Sequence, residues 1–165
     1  MESLIKHRER EVAFENIVRD YSLMITKLCY HFATDMAELK DFRQEVLLNV
    51  WLGWDKFRMQ SKLSTWIYRV CFNTCITYQR KNRLRKNEIP LPSVLEIEDE
   101  QFDMSKYEEM HRLIGKLGNE DKAIILMWLD ENSYDEIAEV VGLKRNTVAT
   151  RLKRIKEKLI KMSNE

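Results

Sequence analysis

Glycine and proline are scarce in this chain, four and two among 165 residues. That scarcity argues against a fold of many tight turns, such as a meander of short strands, and leaves few places where a helix must stop. No stretch approaches the roughly 20 apolar residues of a membrane span. The start, M-E-S-L-I-K-H-R-E-R, lacks the apolar run of an export signal. Cysteine is limited to Cys29, Cys71 and Cys75, all in apolar helical contexts. The last two are one helical turn apart, which suits no disulfide framework. His7, His31 and His111 are scattered, so no zinc-ligand spacing exists and no metal is expected. A glycine-rich phosphate loop and a nucleophile–base set are missing too, which argues against an enzyme and leaves no cofactor to expect. Buried, reduced thiols fit a cytoplasmic protein.

What is plentiful is helix-forming residues. Leu, Ile, Lys, Glu, Arg and Met recur, 44% of the chain is apolar, and the expected fold class is all-α. The net charge of +1 conceals strong segregation. Arg80, Lys81, Arg83, Arg85 and Lys86 form a basic run without an acid, an acidic stretch with Glu96, Glu98, Asp99 and Glu100 follows, and the tail from Gly142 is basic again. Two basic zones separated by an acidic one suggest two polyanion contacts joined by a repelling tether, although charge runs are more commonly just solvated surface. The acids could also lie against the basic surfaces and lower their affinity for a polyanion.

Apolar steps of three and four place a first helix at about residues 10–32, a second at about 36–56 capped by Thr34 or Asp35, and a third at about 64–85. Pro90 and Pro92 forbid a regular helix in the acidic stretch. Periodicity returns at Tyr107, Gly118 breaks it, and Asn119 is the expected cap of the next helix. The expected organisation is a helical module at 1–86, a linker at 87–104 and a second module at 105–165, with no further C-terminal domain and no large N-terminal extension.

Residues 134–159 read as a helix-turn-helix. Ile137, Ala138 and Val141 share one face of a short helix opened by Asn132 or Ser133. Gly142 permits the sharp turn, and Leu143 fills the corner. Val148, Leu152, Ile155 and Leu159 form the inner face of a second helix. Lys144, Arg145, Arg151, Lys153, Arg154, Lys156 and Lys158 lie elsewhere on it, as a helix in the major groove beside phosphates requires. The plainer alternative is an amphipathic hairpin with a solvated basic face.

Two further clusters stand in the first module. In F-R-M-Q-S-K-L-S-T-W-I-Y-R-V-C-F-N, residues 57–73, Trp66, Tyr68 and Phe72 alternate with Arg58, Lys62 and Arg69 ahead of the basic run. Rings among cations suit unpaired bases, each stack being worth roughly 1–3 kcal/mol, and Asn73 could bond a base edge. Trp66 and Phe72 serve equally well as core residues. In D-F-R-Q-E-V-L-L-N-V-W, residues 41–51, apolar residues occupy more than one face. Either Leu48 and Trp51 are left over for a partner helix, or all are buried.

These segments resemble an extracytoplasmic-function (ECF) sigma factor of bacterial RNA polymerase. Residues 41–51 are similar to that family's D-x-x-Q-E-V-F-x-x-x-W segment, residues 57–73 to its F-x-x-x-s-x-f-x-x-W-L-y-r-I-a-x-N segment, and the helix-turn-helix to its promoter −35 reader. The resemblance implies that Phe42, Arg43, Gln44, Glu45, Leu48 and Trp51 face core polymerase. It implies that Lys62, Trp66, Arg69, Asn73 and Arg80 meet the opened −10 strand, where flipping a base costs a few kcal/mol of stacking that the pocket must return. It places Ala149, Thr150, Lys153 and Arg154 at −35 contacts, with Lys144, Arg145 and Thr147 nearby and Arg151 beside phosphate. Core polymerase, promoter DNA and an anti-sigma factor are the implied partners. Two departures stand out. Ala149 occupies a position where the family often has a base, which shifts weight toward shape and phosphate contacts. The acidic pair ahead of the clamp segment is thinner, E-L-K-D at residues 38–41. The rivals are a dimeric helix-turn-helix repressor or activator with a sensing module, and a helical adaptor with an incidental basic tail.

Overall fold

The computed structural model describes residues 1–80 and 104–165. Among these residues every regular element is helical: α1 (Glu2–Phe32), α2 (Met36–Gly53), α3 (Leu63–Arg80), α4 (Glu108–Ile114), α5 (Asn119–Leu129), α6 (Tyr134–Val141) and α7 (Arg145–Ser163). Short 3-10 turns occupy Trp54–Lys56 and Met104–Tyr107. The chain divides into two compact units, the first holding most of α1–α3 and the second holding α4–α7. The all-α, two-module reading of the sequence is the architecture observed. The expected linker lies outside the described residues except for Met104, which opens a 3-10 turn. The two prolines, the acids of the shielding idea and the basic run beyond Arg80 lie outside them as well.

In the first unit, Phe14, Ile17, Ile25 and Leu28 of α1 are all but inaccessible to solvent, as are Phe42, Val46, Leu47 and Val50 of α2 and Ile67, Cys71 and Cys75 of α3. Each such aliphatic or aromatic side chain contributes about 1.5–3 kcal/mol by leaving water. The three cysteines are free and buried, and burial pushes the Cys71 thiol up, away from reactivity. α1 starts two turns before the expected residue 10. Residues 2–9 carry no core periodicity, but they are good helix formers with Glu2 in the first turn. Arg10 anchors this early start. Its Nη2 donates to the Trp51 carbonyl at 2.5 Å, Nη1 lies 3.2 Å from Asp55, and the guanidinium sits 4.2 Å from the Trp51 ring centre.

Asp35, not Thr34, is the N-cap of α2, its side chain accepting from the Glu38 amide at 2.8 Å. α2 ends at Gly53, short of the expected residue 56, and the chain tightens into the 3-10 turn. Asn49 Nδ2 donates to Thr74 Oγ1 at 2.9 Å and ties α2 to α3.

The second unit packs α5 against α6 and α7, with α4 against α7. Its core includes Ile114, Ile124, Ile125, Met127, Ile137, Val148, Leu152 and Ile155. The N-cap of α5 is Gly118 without a side-chain bond, and Asn119 is the first helical residue rather than the cap. α5 ends in a Schellman pattern. The Asn132 amide donates to the Met127 carbonyl at 3.1 Å and the Glu131 amide to Trp128 at 3.0 Å. Glu131 takes the left-handed position, φ 65°, where glycine is usual.

Candidate nucleic-acid interfaces

The helix-turn-helix of the second unit is built by local signals. Ser133 caps α6 in a reciprocal box: its Oγ accepts from the Glu136 amide at 3.1 Å, and Glu136 Oε2 accepts from the Ser133 amide at 3.2 Å. Gly142 terminates α6 at φ 73°, ψ 28°, and both its amide and that of Leu143 donate to the Ala138 carbonyl. Lys144 then serves as the N-cap of α7 without a side-chain bond.

At 100° per residue, Val148, Leu152, Ile155 and Leu159 point inward, the first three buried. Thr147, Thr150, Lys153 and Arg154 lie exposed on the outer face. Lys144 and Arg145 are exposed at the helix start, and Ala149 is partly exposed. Arg145 lies 3.5 Å from Asp135 and over the Tyr134 ring. The Thr150 hydroxyl donates to the Asn146 carbonyl at 3.0 Å, which leaves its lone pairs to accept from a base edge. Arg151 departs from this face. Its Nη1 is 3.0 Å from Glu120 and its Nη2 2.5 Å from Asp121, both in the first turn of α5. Burial opposes its charge, but the hydrogen bonds it donates to the two carboxylates outweigh that and hold the guanidinium above its ordinary pKa.

In the first unit, Lys62, Trp66, Arg69 and Asn73 recur at steps of four, three and four, which puts them on one stripe at and along α3. Lys62 and Asn73 are exposed, and Trp66 and Arg69 partly so. Arg80 ends the helix, and its side chain is outside the described set. Tyr68 and Phe72 are not part of the stripe. Both are buried, their rings stacked at 6.0 Å, because the i, i+4 face they share turns into the core. Trp66 instead joins Trp54 and Phe57, at ring distances of 6.1 and 5.0 Å. Gly53 makes room for this group, since a Cβ there would stand 3.3 Å from the Trp66 ring. The adjoining loop holds Met59 at φ 55° and 83% exposed. The spacing of Trp54 and Phe57 after Gly53 is the signal in the sequence for this cluster.

The α2 cluster departs most from expectation. Phe42, Leu48 and Trp51 are buried within the unit, at 0%, 4% and 9% exposure. α2 has two intramolecular neighbours, α1 through the Phe14–Trp51 ring contact and α3 through Asn49–Thr74, so it needs apolar residues on two faces. Arg43 is turned inward too. Its Nε donates to Thr26 Oγ1 and its Nη2 to Ser22 Oγ, each at 3.0 Å. Gln44 is exposed and Glu45 partly so. Burial, and secondarily the charge of Asp41, raise the Glu45 carboxyl above its usual value.

Comparison with known proteins gives a consistent result. The model of Sigma-70 region 2 matches residues 17–85, and that of Sigma-70, region 4 matches residues 107–159. The ECF RNA polymerase sigma factor SigW of Bacillus subtilis is 30% identical, over 98% of this chain and 97% of its own length. The chain belongs to the ECF sigma factors. RNA polymerase sigma factor YlaC of the same organism is 26% identical over 95% of this chain and 94% of its own. The fold is shared with CnrH, solved in complex with the cytosolic domain of CnrY, at TM-score 0.70 and 18% identity, covering 93% of this chain and 89% of that one. It is shared also with the sigma factor RpoE of Bartonella quintana, solved with the anti-sigma factor NepR, at TM-score 0.66 and 16% identity, covering 91% and 98%.

The protein is thus a sigma factor that associates with core RNA polymerase and directs promoter-specific transcription initiation. No helix among the described residues is long and apolar enough to cross a membrane, and no metal-ligating cluster occurs among them.

Proposed function

We propose that this sigma factor divides promoter recognition between its units at the residues exposed on α3 and α7. Residues 1–86 act as the −10 module, 105–165 as the −35 module, and 87–104 as the linker between them. Lys62, Arg69 and Arg80 hold the backbone of the opened −10 strand, Asn73 bonds a base edge, and Trp66 offers a ring to an unstacked base. Thr147, Ala149, Thr150, Lys153 and Arg154 face duplex −35 DNA, and the cations Lys144, Arg145, Lys153 and Arg154 lie within reach of its phosphates. The observation that carries this reading is the exposed polar and basic outer face of α7, which follows α6 across the left-handed turn at Gly142.

On α2, Gln44 and Glu45 meet the polymerase, while Phe42, Arg43, Leu48 and Trp51 build the helix that presents them. The like charges of Asp41 and Glu45 repel one another in the free protein, and a basic partner surface relieves that repulsion. The protein acts in the cytoplasm, as a specificity subunit without catalysis of its own. An anti-sigma factor is its regulatory partner, a reading supported by RpoE, solved with the anti-sigma factor NepR, and by CnrH, solved with the cytosolic domain of CnrY. An apolar groove of about 480 Å³ among α4, α5 and α7, including Met110, Trp128, Leu129 and Ile160, supports a helical partner on the second unit.

The test is crosslinking of holoenzyme to a single-stranded −10 probe. Asn73→Ala and Lys62→Ala are expected to lose strand capture without losing polymerase association, and unaltered capture would overturn the assignment of α3.

A further inference from the structure

The basic residues of α7 are not equivalent. Lys153 and Arg154 are exposed on its outer face. Arg151 is one-quarter exposed and spans to two carboxylates of α5. An arginine fork engaged on both sides has few donors left for phosphate. Glu120 and Asp121 stand in the first turn of α5, where the positive end of the helix dipole favours acids.

We propose that Arg151 is a positioning residue that clamps α7 to the start of α5 and so sets the angle at which Thr150, Lys153 and Arg154 meet DNA. It is not a phosphate contact. This rests on α7 being the DNA-reading helix. The clamp lies on the flank of α7 between its inner and outer faces, where a tie resists rotation of the helix about its own axis. Inner-face packing by Val148, Leu152 and Ile155 fixes the separation of the helices but tolerates such rotation more readily.

The two roles give opposite signs in one experiment. Binding of the full-length chain to a random-sequence DNA duplex is followed by fluorescence anisotropy across a salt series, at a temperature where every variant is folded by circular dichroism. A phosphate contact contributes about 0.9 to the slope of log affinity against log salt. Lys153→Gln and Arg154→Gln are each expected to flatten the slope by that amount. Arg151→Gln is expected to leave the slope unchanged and to weaken binding at every salt by about fivefold, the upper range for a partly exposed ion pair.

The Glu120→Gln/Asp121→Asn variant is expected to weaken binding similarly, although it removes two negative charges beside a polyanion site. Arg151→Lys falls between Arg151→Gln and the parent. Combining Arg151→Gln with the two α5 substitutions adds no further loss, since all remove one clamp. A flattened slope for Arg151→Gln, or tighter binding by the α5 variant, overturns the proposal. Should Arg151→Gln fail to fold, the α5 variant decides by its sign alone. If Lys153→Gln and Arg154→Gln also leave binding unchanged, α7 is not the DNA-reading helix, and that reading fails together with the clamp built on it.

Discussion

Gly142→Ala isolates the energetics of the helix-turn-helix corner. Gly142 sits at φ 73°, ψ 28°, and nothing lies within 4 Å of the position a Cβ would take. No steric collision therefore contributes, and only the left-handed backbone penalty remains, roughly 1–2 kcal/mol for a residue with a Cβ. Restriction of the unfolded chain returns about 0.4–1 kcal/mol. The net loss is on the order of 1 kcal/mol, about 4–8 °C in Tm for a unit of this size. Glu131 provides the mirror case, a non-glycine residue at φ 65° in the corner that closes α5. Glu131→Gly is expected to stabilise the same unit by roughly 0.5–1 kcal/mol, by the same terms with signs reversed. Amide hydrogen exchange along α5–α7 of the full chain reads both changes locally. Equal protection in Gly142→Ala and the parent, or a loss of protection in Glu131→Gly, would refute the backbone argument.

Four further variants have defined outcomes. Ser133→Ala removes the reciprocal cap of α6 and is expected to cost about 1 kcal/mol, read as faster exchange of the Glu136 and Ile137 amides. Arg43→Ala breaks bonds to Thr26 and Ser22 and is expected to lower the urea midpoint of the first unit by the equivalent of about 1–3 kcal/mol. Gln44→Ala leaves that midpoint unchanged and weakens polymerase binding in a pull-down. Because the Glu45 carboxyl is raised on folding, the folded chain holds that proton more tightly. Its stabilising contribution is complete below the unfolded value and is lost as pH rises through the folded one. Glu45→Gln is therefore expected to match the parent in acid and to exceed it slightly at neutral pH, by no more than ~0.5 kcal/mol after solvent screening. Urea midpoints against pH check the sign.

Local rules made much of this fold readable. A single glycine after Val141 marked the sharp corner, and Asn132 or Ser133 marked the helix start; the structure makes Ser133 the cap, in a reciprocal box with Glu136. The stop of α5 was not readable in the same way, because a glutamate holds the left-handed position there and its Schellman bonds join backbone groups alone. The first two turns of α1 were missed because they carry no core periodicity, and the Arg10–Trp51 anchor spans residues far apart in the chain.

The same limit explains the candidate sites. Leu48 and Trp51 could be surplus for a partner or buried, and the resemblance set Phe42 with them at the polymerase; a helix with two intramolecular neighbours buries two faces, and all three lie inside. The long side chains of Arg43 and Arg151 were assigned outward by motif. Their partners, on α1 and α5, are set by tertiary packing that spacing does not encode. Lys62, Asn73, Lys153 and Arg154 are exposed in the structure. The helical steps that marked them as surface cations or polar tips depend only on their own segment.

The most direct measurement is in vitro transcription with bacterial core polymerase on a promoter library, with and without this protein. The account predicts transcripts from a defined subset of promoters that appear only when the protein is added. Thr150→Ala/Arg154→Ala is expected to reduce them while leaving association with core polymerase intact. An identical transcript set in its presence and absence, with no association with the core enzyme, would contradict the account.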